Sequence, residues 1–444
     1  MIELILLCLL AALLGLLISI VISLIPGLHI YNVIAITMLI VFSAYWLFDV
    51  CPGIVITSFM VGMVVSFSVL FTVSSNFFQP ADESYRFIIL PHEKYLLDGR
   101  GYEAVLIVGL GSLIAILFIS ITFPIFGTYI SALRNLLIPN MFWILGAIIL
   151  FILMSEWPKD FGIAKTKKER IMDGWIPILM GYLSFILAGL LGIFIFYKNI
   201  IPVESSFQSL MPVFIGLFAI PSQICALIAN VEIPKQNVCK SVDIEFHDVF
   251  RGGVCGVVAG FFASITPSLT PGPSLLVTGH ATAQGGDKQF MLAGGAARVM
   301  YYVGAILLFF LPDVYVRKGG AAINISLFFL PETLAEFFLI GGIIAIVGFL
   351  SFIILIYFSR LCIYLVSKVP YKLFSLVGMV VLITLVAYVT SWQGIIIMVV
   401  ASLIGLIPVF WHTRRISLLS VLLVPIFLNM AGLGDVVANV FGLI

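Results

Sequence analysis

Apolar runs near or above 18 residues recur from one end of the chain to the other, separated by short polar loops. Runs of that length are read as membrane-spanning helices. Two regions break the pattern. Residues 2–50 and 252–290 are apolar enough to lie in a membrane, yet each contains Pro-Gly, at Pro26-Gly27 and Pro271-Gly272, a pair that stops a helix. After the first interrupted region, spans are predicted at 52–78, 104–126, 136–154, 175–198 and 207–231. After the second they are predicted at 291–311, 332–358, 372–390, 393–411 and 416–442.

The two interruptions are related. Placing GLLISIVISLIPG (15–27) over GFFASITPSLTPG (260–272) gives seven identities in thirteen ungapped positions. Five of them are Gly, Ser or Pro: Gly15/Gly260, Ser19/Ser264, Ser23/Ser268, Pro26/Pro271 and Gly27/Gly272. Repeats of this kind are sought first because missing one misreads the whole fold. The expected fold class is therefore an all-α polytopic membrane protein of two repeats, 1–240 and 241–444. Each repeat is a broken re-entrant helical hairpin followed by about five transmembrane helices, with no soluble domain.

Charge gives the orientation, because Lys and Arg accumulate in cytoplasmic loops. If each interrupted region enters and leaves on one side, the loops at 79–103, 155–174, 232–251, 359–371 and 412–415, with Lys372, share a face holding sixteen of the 22 basic residues. The other face holds Arg134, Lys198, Arg317 and Lys318, and Lys288 and Arg298 complete the set. Five spans per half is an odd number, so the second repeat is expected upside down relative to the first. Both termini are then expected outside a cell membrane.

Composition agrees with a membrane location and excludes several activities. The 444 residues are 62% hydrophobic and 10% charged, with a mean hydropathy of +1.24. The N-terminal segment has no positive start and no small-residue cleavage site, so it is expected to be a retained membrane segment rather than a signal. Six scattered cysteines form neither a CxxC pair nor a Cys/His cluster, so no metal or cofactor is expected. A net charge of +1 without a basic stripe gives no nucleic-acid footprint. No HExxH, GxSxG or Walker motif occurs. Gly-Leu-Gly-Asp at 432–435 looks like the motif of intramembrane aspartyl proteases, but Asp49 follows Phe48 rather than a tyrosine and no Pro-Ala-Leu segment follows. The chain is not expected to be an enzyme.

Breaks at membrane depth leave backbone groups that need a partner, and paired breaks in inverted repeats mark the substrate site of secondary transporters. A half-helix beginning at each Pro-Gly would aim N–H groups and a positive dipole end inward, which suits an anion. The candidate binding residues are Ser19, Ser23, Pro26, Gly27, His29 and Asn32 in the first region. In the second they are Ser264, Ser268, Thr270, Pro271, Gly272 and Ser274. Arg298, inside GGAARVMYYVG, has two readings open: neutralising a carboxylate or phosphate, or snorkelling to the interface. Asp49, Glu332, Glu336 and Asp435 are sparse acidic groups at span ends, and no coupling ion is assigned to them.

The IPGL break, followed by ILPHEKYLLDGRGYEAV (89–105), resembles the TctA family, the large permease subunit of tripartite tricarboxylate transporters. Pro26-Gly27-Leu28, Asp98-Gly99, Pro271-Gly272 and the Gly-rich TAQGGDKQFMLAGG (282–295) fall where that family has its motifs. His29 stands where the family's break ends in glycine, and VVSFSVLFTVSSNFF (64–78) replaces its Gly-Gly signature. A divergent member is expected. The resemblance implies a secondary transporter of an organic anion such as a carboxylate, driven by a proton or sodium ion, with a binding protein and a small membrane subunit as partners. A second resemblance, to polyprenyl-phosphate transporters that also use Pro-Gly hairpins, keeps open a lipid phosphate as the cargo. Membrane lipids are expected around the chain in either case.

Overall fold

The structure is a computed structural model that describes residues 2–44, 51–78, 89–156, 166–198, 200–202, 208–228, 233–282, 285–311, 314 and 316–444. Asp49 and the end of the first interrupted region lie outside the described residues. Among the described residues all regular structure is helical. The helices are α1 (Ile2–Ile22), α2 (Ile30–Ser43), α3 (Gly53–Phe77), α4 (Ile89–Leu97), α5 (Gly101–Leu137), α6 (Met141–Met154), α7 (Lys167–Tyr197) and α8 (Leu210–Ile228). They continue with α9 (Phe246–Ile265), α10 (Pro271–Ala281), α11 (Asp287–Phe310), α12 (Gly319–Ile325), α13 (Leu334–Lys368), α14 (Tyr371–Phe410), α15 (Ser420–Met430) and α16 (Gly434–Val440).

Ten helices among the described residues are long and apolar enough to cross a membrane. The chain is an integral membrane protein. Most span ends fall close to those read from the apolar runs: 52–78 appears as Gly53–Phe77, 175–198 as Gly174–Tyr197 and 291–311 as Asp287–Phe310. The runs 372–390 and 393–411 join into α14, which is broken at Ser391 by a φ of 58°. The single span expected at 416–442 needs correction. Arg415–Met430 and Gly434–Val440 meet at 113°, with Gly432 at the bend in the left-handed region (φ 69°). The Gly-Leu-Gly-Asp sequence is thus a corner.

Packing divides the chain into two compact units, Met1–Asn135 with Ala229–Gly378, and Leu136–Ile228 with Met379–Ile444. Both interrupted regions belong to the first unit. Its centre is α3 and α11, the most completely buried of the spans. α1 lies on α3 and α9 lies on α11, and both crossings are made by glycine. A Cβ at Gly15 would sit 2.2 Å from the Phe59 carbonyl oxygen, and one at Gly260 would sit 2.3 Å from that of Ala297. Small residues let backbones touch where lipid offers no hydrophobic drive. Gly15 and Gly260, aligned in the sequence comparison, therefore do the same packing job. On the opposite side of α1, Leu10, Leu14, Leu17 and Val21 are more than half exposed, as a lipid-facing stripe requires.

In the second unit the buried Glu156 carboxylate accepts a 2.8 Å hydrogen bond from the Ser417 hydroxyl, and Arg415 donates to Ser222 at 2.6 Å. α8 carries a π-helical turn at Ile215–Ala219.

The interrupted regions differ from a pair of equal half-helices. At about 1.5 Å per residue, the 21-residue α1 and 20-residue α9 are each about 30 Å long, the thickness of a hydrocarbon core. The 14-residue α2 and the 11-residue α10 reach only about 21 Å and 16 Å. Each break thus joins a long arm to a short one. The first turns of α9 carry Asp248 and Arg251, so its apolar part begins only at Gly252.

Candidate functional site

The first break runs from Ser23 to His29. Tight backbone turns close it: Leu24 and Ile25 donate to the carbonyls of Val21 and Ile22. Gly27 has a φ of 80°, which puts the end of the turn in the left-handed region that glycine enters freely. The short arm therefore begins three residues beyond Gly27, at Ile30, rather than directly after Pro-Gly. His29 is its N-cap: Nδ1 accepts from the Tyr31 amide at 3.2 Å, taking up one of the helix's orphan donors. An imidazole whose Nδ1 accepts carries its proton on Nε2 when neutral, so Nε2 donates to the Tyr302 hydroxyl at 2.8 Å. The ring also lies among Tyr31, Phe67 and Tyr302.

The second break runs from Thr266 to Thr270, and α10 starts on Pro271 itself. Pro271 at the first helical position suits a helix start, since its missing N–H would be an orphan there. Thr270 is the N-cap in an extended conformation, but its hydroxyl makes no capping bond. Ser274 donates to the Ala259 carbonyl at 2.5 Å and pins the short arm to the long one. Prolines 267 and 273 have a further effect. Neither has an N–H; Pro267 takes from the Ala263 carbonyl its donor four residues on, and the Leu269 carbonyl lies in the break, outside both helices. Lys318 supplies the replacement. Its ammonium donates to the carbonyls of Ala263, Thr266 and Leu269 and lies 5.4 Å from the centre of the Tyr301 ring.

The expected site residues now separate by what their polar atoms do. Ser19 and Ser264 are spent on backbone, donating to Met63 and Phe261 carbonyls at 2.6 and 2.7 Å. Ser274 is spent on the hairpin, as above. Asn32 is buried on α2, and Pro26 is buried beside it in the break. Gly272 is buried in the first turn of α10. Ser23, Ser268 and Thr270 behave differently: their hydroxyl oxygens are buried and have no hydrogen-bond partner among the described residues. Thr266 joins them. Ser23 and Ser268 are aligned in the repeat, and Ser268 holds a positive φ of 58°, a strained conformation for a residue with a Cβ.

Arg298 is fully buried on α11, donates from Nη2 to the Thr72 hydroxyl on α3, and places its guanidinium carbon 5.9 Å from the centre of the Phe71 ring. The helix face that follows it by three and four residues carries Tyr301 and Tyr302. These adjacent rings, 5.1 Å apart, connect the two breaks: Tyr302 bonds His29, and Tyr301 faces Lys318. A second connection runs along the chain. Gly319 and Gly320 lie so close to Tyr31 that a Cβ would sit 2.5 Å from its hydroxyl or 2.7 Å from its ring. One short segment therefore touches the second break through Lys318 and the first through Tyr31.

The loop at 89–105 marks the polar end of this unit. α4 ends in an Asp98-Gly99 turn, and Gly101 is clamped by Asn76 and Gln236, each bond being 2.9 Å. Lys94 reaches Asp287 at the start of α11 (2.9 Å). His92 is buried there, and loss of solvent pushes its pKa down to about 3. A separate apolar cavity lined by Ile119, Phe123, Pro124, Leu307 and Phe337 contains none of the expected site residues.

Residues 9–420 match the Tripartite tricarboxylate transporter TctA family. The chain belongs to that family. A TctA protein is a transport component, working as a membrane permease beside binding-protein and small membrane subunits. The chain is also 26% identical over 432 residues to an uncharacterized protein of Methanocaldococcus jannaschii, covering 95% of this chain and 98% of that one. No solved structure matches it. Within this TctA chain, His29 is the residue that caps α2 and links it to α11.

Sequence reasoning missed three contributors: Thr72, the Tyr301-Tyr302 pair and Lys318. The tyrosines had a signal, since i+3 and i+4 place them on the face of Arg298. Lys318 had a weaker one: Arg-Lys-Gly-Gly after a span reads as an exposed loop, and only the proline count at the second break shows that carbonyls there need a donor.

Proposed function

We propose that this TctA permease moves a small organic anion bearing carboxylate groups, held between the two breaks. The observation that carries the reading is a set of buried hydroxyls at both breaks, Ser23, Thr266, Ser268 and Thr270, with no partner among the described residues. Arg298 and Lys318 lie on the segments that connect those breaks. A buried hydroxyl without a partner costs about 1–3 kcal/mol, so keeping several on one pair of breaks makes sense when a ligand completes them. The cations supply the charge that a carboxylate needs on leaving water, and the start of α10 adds its positive dipole end.

In this reading the two repeats are inverted, the breaks sit at membrane depth, both termini face outward, and a proton or sodium gradient drives transport. Arg298 binds the anion by a charge-assisted contact and Thr72 orients it. Ser23 and Ser268 address opposite ends of the substrate, as their equivalence in the repeat requires. Binding-protein and small membrane subunits deliver the substrate, as the family description implies.

The test is binding and uptake by the purified protein in liposomes. Di- and tricarboxylates are expected to raise its thermal stability and to accumulate inside. Stabilisation by short-chain polyprenyl phosphate with none by any carboxylate would transfer the site to a lipid cargo.

A further inference from the structure

The second break contains a cation of its own. Three backbone carbonyls, those of Ala263, Thr266 and Leu269, converge on one ammonium. The Ala263 carbonyl lacks its helical donor because Pro267 stands four residues on, and the Leu269 carbonyl lies in the break, outside both helices. The hydroxyls of Thr266, Ser268 and Thr270 are buried beside them without a partner. Among the described residues Lys318 makes no ion pair with a carboxylate. Carbonyls of an unwound segment at the C-terminal end of a half-helix, with hydroxyls nearby, form the oxygen set that holds an alkali-metal ion in transporters. In the first break the turn N–H groups of Leu24 and Ile25 occupy the Val21 and Ile22 carbonyls.

We propose that Lys318 is a tethered cation filling an alkali-metal cradle at the second break, so that this half of the site binds no free ion while the lysine is in place. Removing the ammonium opens the cradle to sodium or potassium. Ion coupling, where it operates, enters elsewhere. The inference rests on the breaks forming one site, but its test uses no substrate, so its failure leaves the carboxylate reading standing.

Thermal unfolding of the purified full-length protein is measured in choline chloride and, at equal ionic strength, in sodium, potassium and lithium chloride. The wild type and Lys318→Arg are expected to respond identically to the four salts. Lys318→Ala is expected to unfold lower in choline and to recover by about 3–5 °C as one alkali ion saturates the cradle. Should Lys318→Ala not fold, Lys318→Gln, which keeps a neutral donor, takes its place with the same expectation. A lysine-free variant indifferent to every alkali ion overturns the proposal. So does a wild type that one alkali ion stabilises by as much as it stabilises Lys318→Ala.

Discussion

The two breaks share seven of thirteen aligned residues and solve the same problem in different ways. The first has one proline, Pro26, and its turn closes on itself by backbone hydrogen bonds, with His29 capping the helix that follows. The second has three, Pro267, Pro271 and Pro273, and each removes an N–H. The carbonyls left over are satisfied from outside the hairpin, by Lys318. The difference lies in the prolines: where Pro267 takes a helical donor from the Ala263 carbonyl, a lysine from elsewhere in the chain supplies one. A repeat can thus keep its packing glycines, Gly15 and Gly260, while its two breaks acquire opposite needs.

Arg298 lies one turn before the Tyr301-Tyr302 pair that links these regions, and its loss is the harshest test of their forming one site. Arg298→Met is expected to cut carboxylate uptake by about 100-fold, the roughly 3 kcal/mol upper range of a charged hydrogen bond, measured as initial rate in liposomes. Equal loss for substrates of any charge would place the effect in packing instead.

The breaks must next be separated from the protein's acid sensitivity. His92 titrates near 6.5 when unfolded but near 3 when folded, so below pH 6.5 the unfolded chain takes up a proton that the folded one refuses. Stability is full above pH 6.5 and falls as pH drops, by about 3 kcal/mol by pH 4. His92→Phe is expected to flatten that slope in thermal scans, leaving whatever proton dependence belongs to His29. An unchanged slope would assign the acid sensitivity to other groups.

The cap at the first break comes next. His29→Gly removes both the N-cap and the Tyr302 bond and is expected to cost about 1–2 kcal/mol. Tyr302→Phe is expected to cost less, because the cap to Tyr31 remains. Equal losses would put the whole effect in the Tyr302 bond.

The smallest effects concern the hydroxyls. Ser274→Ala breaks a hairpin bond and is expected to lower stability by about 1 kcal/mol. Ser23→Ala and Ser268→Ala break none, so stability is expected to hold or rise slightly while carboxylate affinity falls about fivefold in each. If Ser268→Ala destabilised the protein as Ser274→Ala does, the hydroxyl would have a structural partner and the contrast would fail.

Much of this was legible in the sequence. Apolar run lengths located the spans, since bilayer thickness fixes them, and aligned Gly, Ser and Pro exposed both breaks. Sequence could not separate Ser19, which bonds Met63, from Ser23, which bonds nothing described, because both lie on one helical face and only their neighbours distinguish them. The bend at Gly432 was hidden in the same way: an apolar run of span length looks continuous when one left-handed residue turns it through 113°. The TctA likeness held over residues 9–420, while the structural part played by His29, which caps α2, was not legible in it.

The central claim is that the aligned serines face one bound anion. The direct measurement is carboxylate-induced thermal stabilisation of the wild type, Ser23→Val, Ser268→Val and the double variant. The account predicts a weaker shift in each single variant and none in the double, with all four unfolding at similar temperatures without ligand. A double variant stabilised by carboxylate as strongly as the wild type would contradict it.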